Sequence, residues 1–178
     1  MENANSLLWE VSIWEFLLVT VCLAGGAAYL ASYVDQLRGQ ADDSVLYAVG
    51  DSWGSSPIES AMFHDEPTIE FLNDLDVTAA ALGNHEFDNG FTELQRLRDG
   101  GCHPEDGCRF SESYDGADFP FLGANVTTAD GTPAALPFDV SYVDGIPVAA
   151  IGVLPRNTPE YIRSDSIENL HFGDEIEA

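Results

Sequence analysis

Three side chains able to handle a metal ion and a phosphate directly follow two short apolar runs. Asp51 follows Ser44–Val49 (SVLYAV) and Gly50. Asn84 and His85 follow Val77–Leu82 (VTAAAL) and Gly83. In layered α/β proteins, ligands bind beyond the carboxyl ends of the strands. A carboxylate and an amide there offer oxygen ligands to a divalent cation, and the imidazole offers nitrogen. Asp88 follows His85 by three residues, which puts both on one face of a helical turn. Its carboxylate favours the protonated imidazole, the form that meets a phosphate. Taken singly these signals are modest, since a Gly-Asp after a strand is commonly a turn and Asn-His-Glu commonly a cap.

The surrounding pattern supplies elements to hold them. Ser44–Val49 and Val77–Leu82 read as buried strands. Ile58–Leu75 reads as helix broken by turn chemistry near His64–Pro67, and Phe91–Arg98 as a short helix. Asp99–Pro120 is a Gly/Asp/Cys-rich excursion, Phe121–Val126 a strand, and Ala129–Pro137 a loop. Asp139–Val143 and Ile146–Leu154 read as a hairpin across Asp144-Gly145. Alternating strand and helix predicts a layered α/β domain.

At 178 residues the chain is one domain or part of one. Apolar residues make up 45% of it, enough for a core. The formal net charge is −25, and all six basic residues are arginine, with no lysine. No basic footprint exists to meet nucleic-acid phosphates, so no nucleic-acid partner is expected, and anionic lipid headgroups would repel the chain. This acidic, lysine-free composition resembles proteins of salt-loving archaea, in which molar salt screens self-repulsion.

The first 34 residues admit two readings. Phe16–Val34 is 19 uncharged residues, long enough to span a bilayer. Alternatively, a strand-like stretch runs to about Cys22 and a helix covers 25–39. No basic region precedes the apolar run, so no secretory signal is recognisable. Cys102 and Cys108 sit in Gly-Gly-Cys-His-Pro-Glu-Asp-Gly-Cys, where a local disulfide, two free thiols, or a weaker zinc site with His103 are alternatives. A disulfide would imply an oxidising compartment. His64, His103 and His171 read as structural or surface residues. Asn125 lies in a glycosylation sequon but reads as structural.

The longer string Gly83–Gly90 (GNHEFDNG), with Gly50-Asp51-Ser52-Trp53-Gly54 and Glu66–Glu70 before it, resembles the 5′-nucleotidase family of calcineurin-like metallophosphoesterases. The resemblance extends through GGCHPEDGC, Phe121–Val126, Ile151–Val153 and the Gly25-Gly26-Ala27-Ala28 stretch, covering about residues 25–177. It implies a partial four-layer α/β/β/α sandwich, with residues 25–178 as the N-terminal part of a metallophosphatase domain and residues 1–24 as an atypical apolar segment. It implies Asp51 and Asn84 as ligands of divalent metal (Mn, Zn, Mg or Ca), His85 as the group that stabilises the phosphoryl group or assists the leaving alcohol, and Asp88 as its orienting partner. The substrate class implied is nucleotide phosphomonoesters or 2′,3′-cyclic phosphodiesters. Family members are commonly exported or membrane-associated.

The chain departs from that pattern. The family carries an Asp-x-His before its Gly-Gly-Ala-Ala helix, but here the first aspartate is Asp35. The family's later Gly-His motifs are likewise not found, leaving the ligand set incomplete. Three functions therefore compete: an active phosphohydrolase domain, an inactive fragment whose missing half comes from a complementing chain, and a membrane-tethered acidic domain without activity.

Overall fold

The computed structural model describes residues 26–178, and the chain divides into two compact units, Met1–Asp42 and Asp43–Ala178. In the first unit, helix α1 (Ala27–Arg38) starts after Gly26, whose φ of 100° is open only to glycine at low cost. Arg38 in its last turn complements the helix dipole. Most of the apolar stretch Phe16–Val34, and Cys22 with it, lies outside the described residues. No described helix is long and apolar enough to cross a membrane.

In the second unit, strands β1 (Tyr47–Val49), β2 (Ala79–Ala81) and β3 (Phe121–Leu122) form a parallel sheet in the order β1-β2-β3. Tyr47 pairs with Ala79 and Ala80 with Phe121. Parallel neighbours need long crossovers. The first crossover carries α2 (Ile58–Ala61) and α3 (Glu66–Asp74), and the second carries α4 (Phe91–Asp99). Ile69 and Leu72 of α3 and Leu94 and Leu97 of α4 are buried, each pair three residues apart on one helical face. The helix break expected near His64–Pro67 is real. His64 and Asp65 have φ of 55° and 62°, outside helical space.

Glu66, Glu93 and Arg96 fix α3 to α4 in the interior. The Arg96 guanidinium donates to Glu66 at 2.7 Å, to Glu93 at 2.7 Å, and to the Gly101 carbonyl at 2.8 Å. Its side chain is 8% exposed and that of Glu66 is 1% exposed. It also lies over the Tyr114 ring. A buried guanidinium with this many acceptors is held tightly.

Strand β4 (Val126–Thr128) pairs antiparallel with β7 (Leu170–Phe172), and β5 (Phe138–Val143) with β6 (Ile146–Ile151). Asp144 and Gly145 both have positive φ, as a two-residue hairpin turn requires.

Three expectations need correction. Ser44–Val49 is not a buried strand: β1 holds three residues, and Val49 is 87% exposed, because β1 has only β2 beside it among the described residues. Phe121–Val126 is not one strand. The chain turns at Gly123–Asn125, where Asn125 is buried and donates to the Leu154 and Gly173 carbonyls while accepting from the Leu154 amide. That confirms a structural role for Asn125. β6 ends at Ile151 rather than Leu154 because Gly152 lies against the Leu122 backbone, where a Cβ would sit 2.5 Å from its carbonyl oxygen. His171, read as structural or surface, lies in β7, whose Phe172 is buried against Phe87.

Candidate functional site

The chain leaves β1 through Gly50 and Asp51, both with positive φ (91° and 54°), and leaves β2 through Leu82 and Gly83. These two loops pass at backbone contact. A Cβ on Gly83 would lie 2.3 Å from Asp51 Oδ1, and one on Gly50 would lie 3.1 Å from Gly83 Cα. Glycine at both positions is what lets the loops meet.

Glu86 ties them together. It sits in a 3-10 turn, His85–Phe87, with 3% exposure. One carboxylate oxygen accepts from the Asp51 amide at 2.9 Å and the Gly83 amide at 2.6 Å. The other accepts from Ser52 at 2.6 Å and Trp53 at 3.4 Å. Burial pushes its carboxyl above the ordinary carboxylate range, while these backbone donors pull the other way. In the sequence Glu86 is marked only as an acidic residue directly ahead of an aromatic one. Trp53, also buried, packs on Phe121 with ring centroids 4.9 Å apart and holds the first loop onto the sheet.

Asp51, Asn84, His85 and Asp88 gather at this corner. Asp51 Oδ1 accepts from the His85 amide at 3.2 Å. His85 Nδ1 donates to Asp88 Oδ2 at 2.7 Å. The Asp88 hydrogen bond holds the imidazole pKa above its usual value, against an opposing effect of burial. Asn84 starts the 3-10 turn, and its side chain makes no capping bond there. Gly54 passes so close to this turn that a Cβ would lie 1.9 Å from the His85 carbonyl oxygen. A cleft lined by Asp51, Ser52, Trp53, Ser55, Ser56 and His85 opens beside them.

Asp51 and Asn84 are hard oxygen donors of the kind that suit a divalent cation. They are two where about six positions must be filled. Among the described residues no further His, Cys, Asp or Glu completes a cluster of three at this corner. The donor set fits such an ion only in part.

The Cys102–Cys108 loop differs from its zinc alternative. The two cysteines form a disulfide, with Cα atoms 4.6 Å apart, so their sulfurs are not thiolate ligands. His64 and His103, read as surface or loop residues, are part-buried and stacked on each other, with ring centroids 3.7 Å apart. His171 lies exposed in β7.

No family model matches the chain. It is similar to endonuclease YhcR of Bacillus subtilis (strain 168), 35% identical over 155 residues, covering 86% of this chain and 12% of that protein. It is also similar to 5′-nucleotidase of Rattus norvegicus, 31% identical over 160 residues, covering 86% of this chain and 24% of that protein. The 5′-nucleotidase precursor of Thermus thermophilus superposes with a TM-score of 0.67 at 25% identity, covering 86% of this chain and 27% of the other. The fold is thus mixed α/β, of the kind found in the N-terminal domains of metallophosphoesterases. Homologues and structural neighbours include 5′-nucleotidases and calcineurin-like phosphoesterases. The chain spans a quarter or less of the two relatives named.

Proposed function

We propose that residues 25–178 are the N-terminal part of a phosphohydrolase domain that cleaves nucleotide phosphate esters, phosphomonoesters or 2′,3′-cyclic phosphodiesters, with a divalent metal. Homology and fold support a phosphohydrolase domain. The observation that carries the site is the convergence of Asp51, His85 and Asp88 within one hydrogen-bonded chain, clamped from below by Glu86. Asp51 and Asn84 would hold the cation, which when bound supplies a Lewis acid for the phosphoryl oxygens. His85, whose protonated form Asp88 favours, donates a proton or a charge-assisted hydrogen bond to the phosphoryl group or the departing alcohol oxygen. Glu86, whose oxygens accept from backbone amides, positions the Asp51 loop against the Gly83 loop.

The partial donor set favours a second reading, an inactive domain on its own. The sequence before Asp35 holds no Asp and no His. Further ligands would then come from another polypeptide segment. The disulfide supports an oxidising compartment, and the charge supports work at high salt. The test is release of phosphate from a nucleoside monophosphate by the full chain, in high salt with Mn²⁺. Metal-dependent release that disappears in His85→Ala supports the first reading. No turnover, with no rise in melting temperature on adding Mn²⁺, supports the second.

A further inference from the structure

His64, His103 and Glu93 come from three separate places in the chain. His64 sits in the left-handed turn between α2 and α3, Glu93 in the first turn of α4, and His103 inside the disulfide loop. One nitrogen of each imidazole and one Glu93 oxygen lie within 4.8 Å of one another. We propose that these three residues form a metal site, sharing no residue with the Asp51–Asn84 corner, that takes zinc or a similar borderline divalent transition metal.

The ligand chemistry fits. Two imidazoles and one carboxylate are a common zinc donor set, with a fourth position left for water. Hard oxygen-seeking ions such as Mg²⁺ would find one oxygen here, which is too few. The surroundings also fit, because metal ligands are held by outer partners that fix ring and carboxylate orientation. His64 Nε2 donates to Asp106 Oδ2 at 2.9 Å, which leaves Nδ1 with a free lone pair. Asp106 is itself held by Arg109 at 3.1 Å. The Glu93 carboxylate is gripped by Arg96 at 2.7–3.1 Å. The Cys102–Cys108 bond brackets the loop that carries His103.

His64 and His103 side chains are 25% and 19% exposed, so the shared edge is reachable by an ion yet shielded from bulk solvent.

The test is titration of the full chain with Zn²⁺, and with Co²⁺ as a spectroscopic probe, by calorimetry and visible absorption. An Asp51→Ala/Asn84→Ala variant removes the other candidate ligands. The proposal requires one Zn²⁺ site that persists in that variant, is lost in His64→Ala and His103→Ala, and weakens at least about tenfold in Asp106→Asn. Co²⁺ bound there must give visible bands of a nitrogen- and oxygen-ligated ion that vanish in His103→Ala. Should a histidine variant not fold, ¹⁵N spectra of the unmodified chain decide, since it has only four histidines. Zn²⁺ must shift one ring nitrogen of both His64 and His103. Absence of Zn²⁺ binding, binding indifferent to His64 and His103, or unshifted ring nitrogens overturns the proposal and leaves the stacked pair as a clamp between α3 and the disulfide loop.

Discussion

One carboxylate oxygen of Glu86 accepts from the amides of both Asp51 and Gly83, so a single buried side chain joins the loops that follow two neighbouring strands. The position of Asp51 relative to His85 is therefore a property of Glu86 as much as of the strands. Replacing Glu86 by Ala orphans four amides, the Trp53 one buried and the others part-buried, that now have a partner. The expected cost is about 3 kcal/mol or more in denaturant unfolding, with activity falling as well. Glu86→Gln keeps one acceptor oxygen and should cost less. Equal stability of the Ala variant and the parent would show that the clamp carries no weight.

The His85–Asp88 pair sets a pH dependence. The folded-state pKa of His85 is raised, chiefly by the Asp88 hydrogen bond. A raised folded value means that the pair's contribution to stability is complete below the unfolded imidazole value, about 6.5. It is lost as pH rises through the folded value. The group is part-exposed, so the direction rather than an energy is the prediction. NMR titration of His85 should give a lower pKa in Asp88→Asn than in the parent. An unchanged value would remove Asp88 as the orienting partner.

Breaking the interior ion cluster should be costly. Arg96→Leu leaves Glu66 and Glu93 without their counter-charge, and Glu66 is nearly inaccessible. A loss of about 3–5 kcal/mol is expected by chemical denaturation. Arg98→Leu is the control, since its partner Asp99 is exposed, and should change stability by about 0.5 kcal/mol or less. Similar losses in both variants would contradict the assignment of the buried cluster.

Reduction of the disulfide opens no large loop, only six residues of separation. Loop-closure entropy predicts a loss of about 2 kcal/mol. Cys102→Ser/Cys108→Ser should melt at a lower temperature while keeping the fold, as read by far-UV circular dichroism. No change on reduction would mean that the bond does not constrain the unfolded chain.

A formal charge of −25 on 178 residues repels itself at low ionic strength. The melting temperature should therefore climb steeply as KCl is raised from millimolar to molar. A flat dependence would remove the high-salt proposal.

Much of the scaffold was legible in the residues, because its signals are local. The break in Ile58–Leu75 lies where His64 and Asp65 take left-handed backbone, and the Asp144-Gly145 turn closes its hairpin. What escaped was long-range. Apolar content alone made Ser44–Val49 look buried, whereas Val49 lies on an edge strand. Glu86 carries no periodic signal, since three of its four amide partners lie 33–35 residues away in sequence. His64 and His103 are 39 positions apart by their numbers, and only folding stacks them. β7 is three residues long, too short for any alternation to show.

Whether a cation and a phosphate meet at the Asp51–His85 corner is best measured by Mn²⁺ electron paramagnetic resonance on the full chain, with and without inorganic phosphate. Phosphate should tighten Mn²⁺ binding in the parent, and the gain should vanish in Asp51→Ala and shrink in His85→Ala. Mn²⁺ binding that ignores phosphate, or coupling that survives loss of Asp51, would place the phosphate chemistry elsewhere.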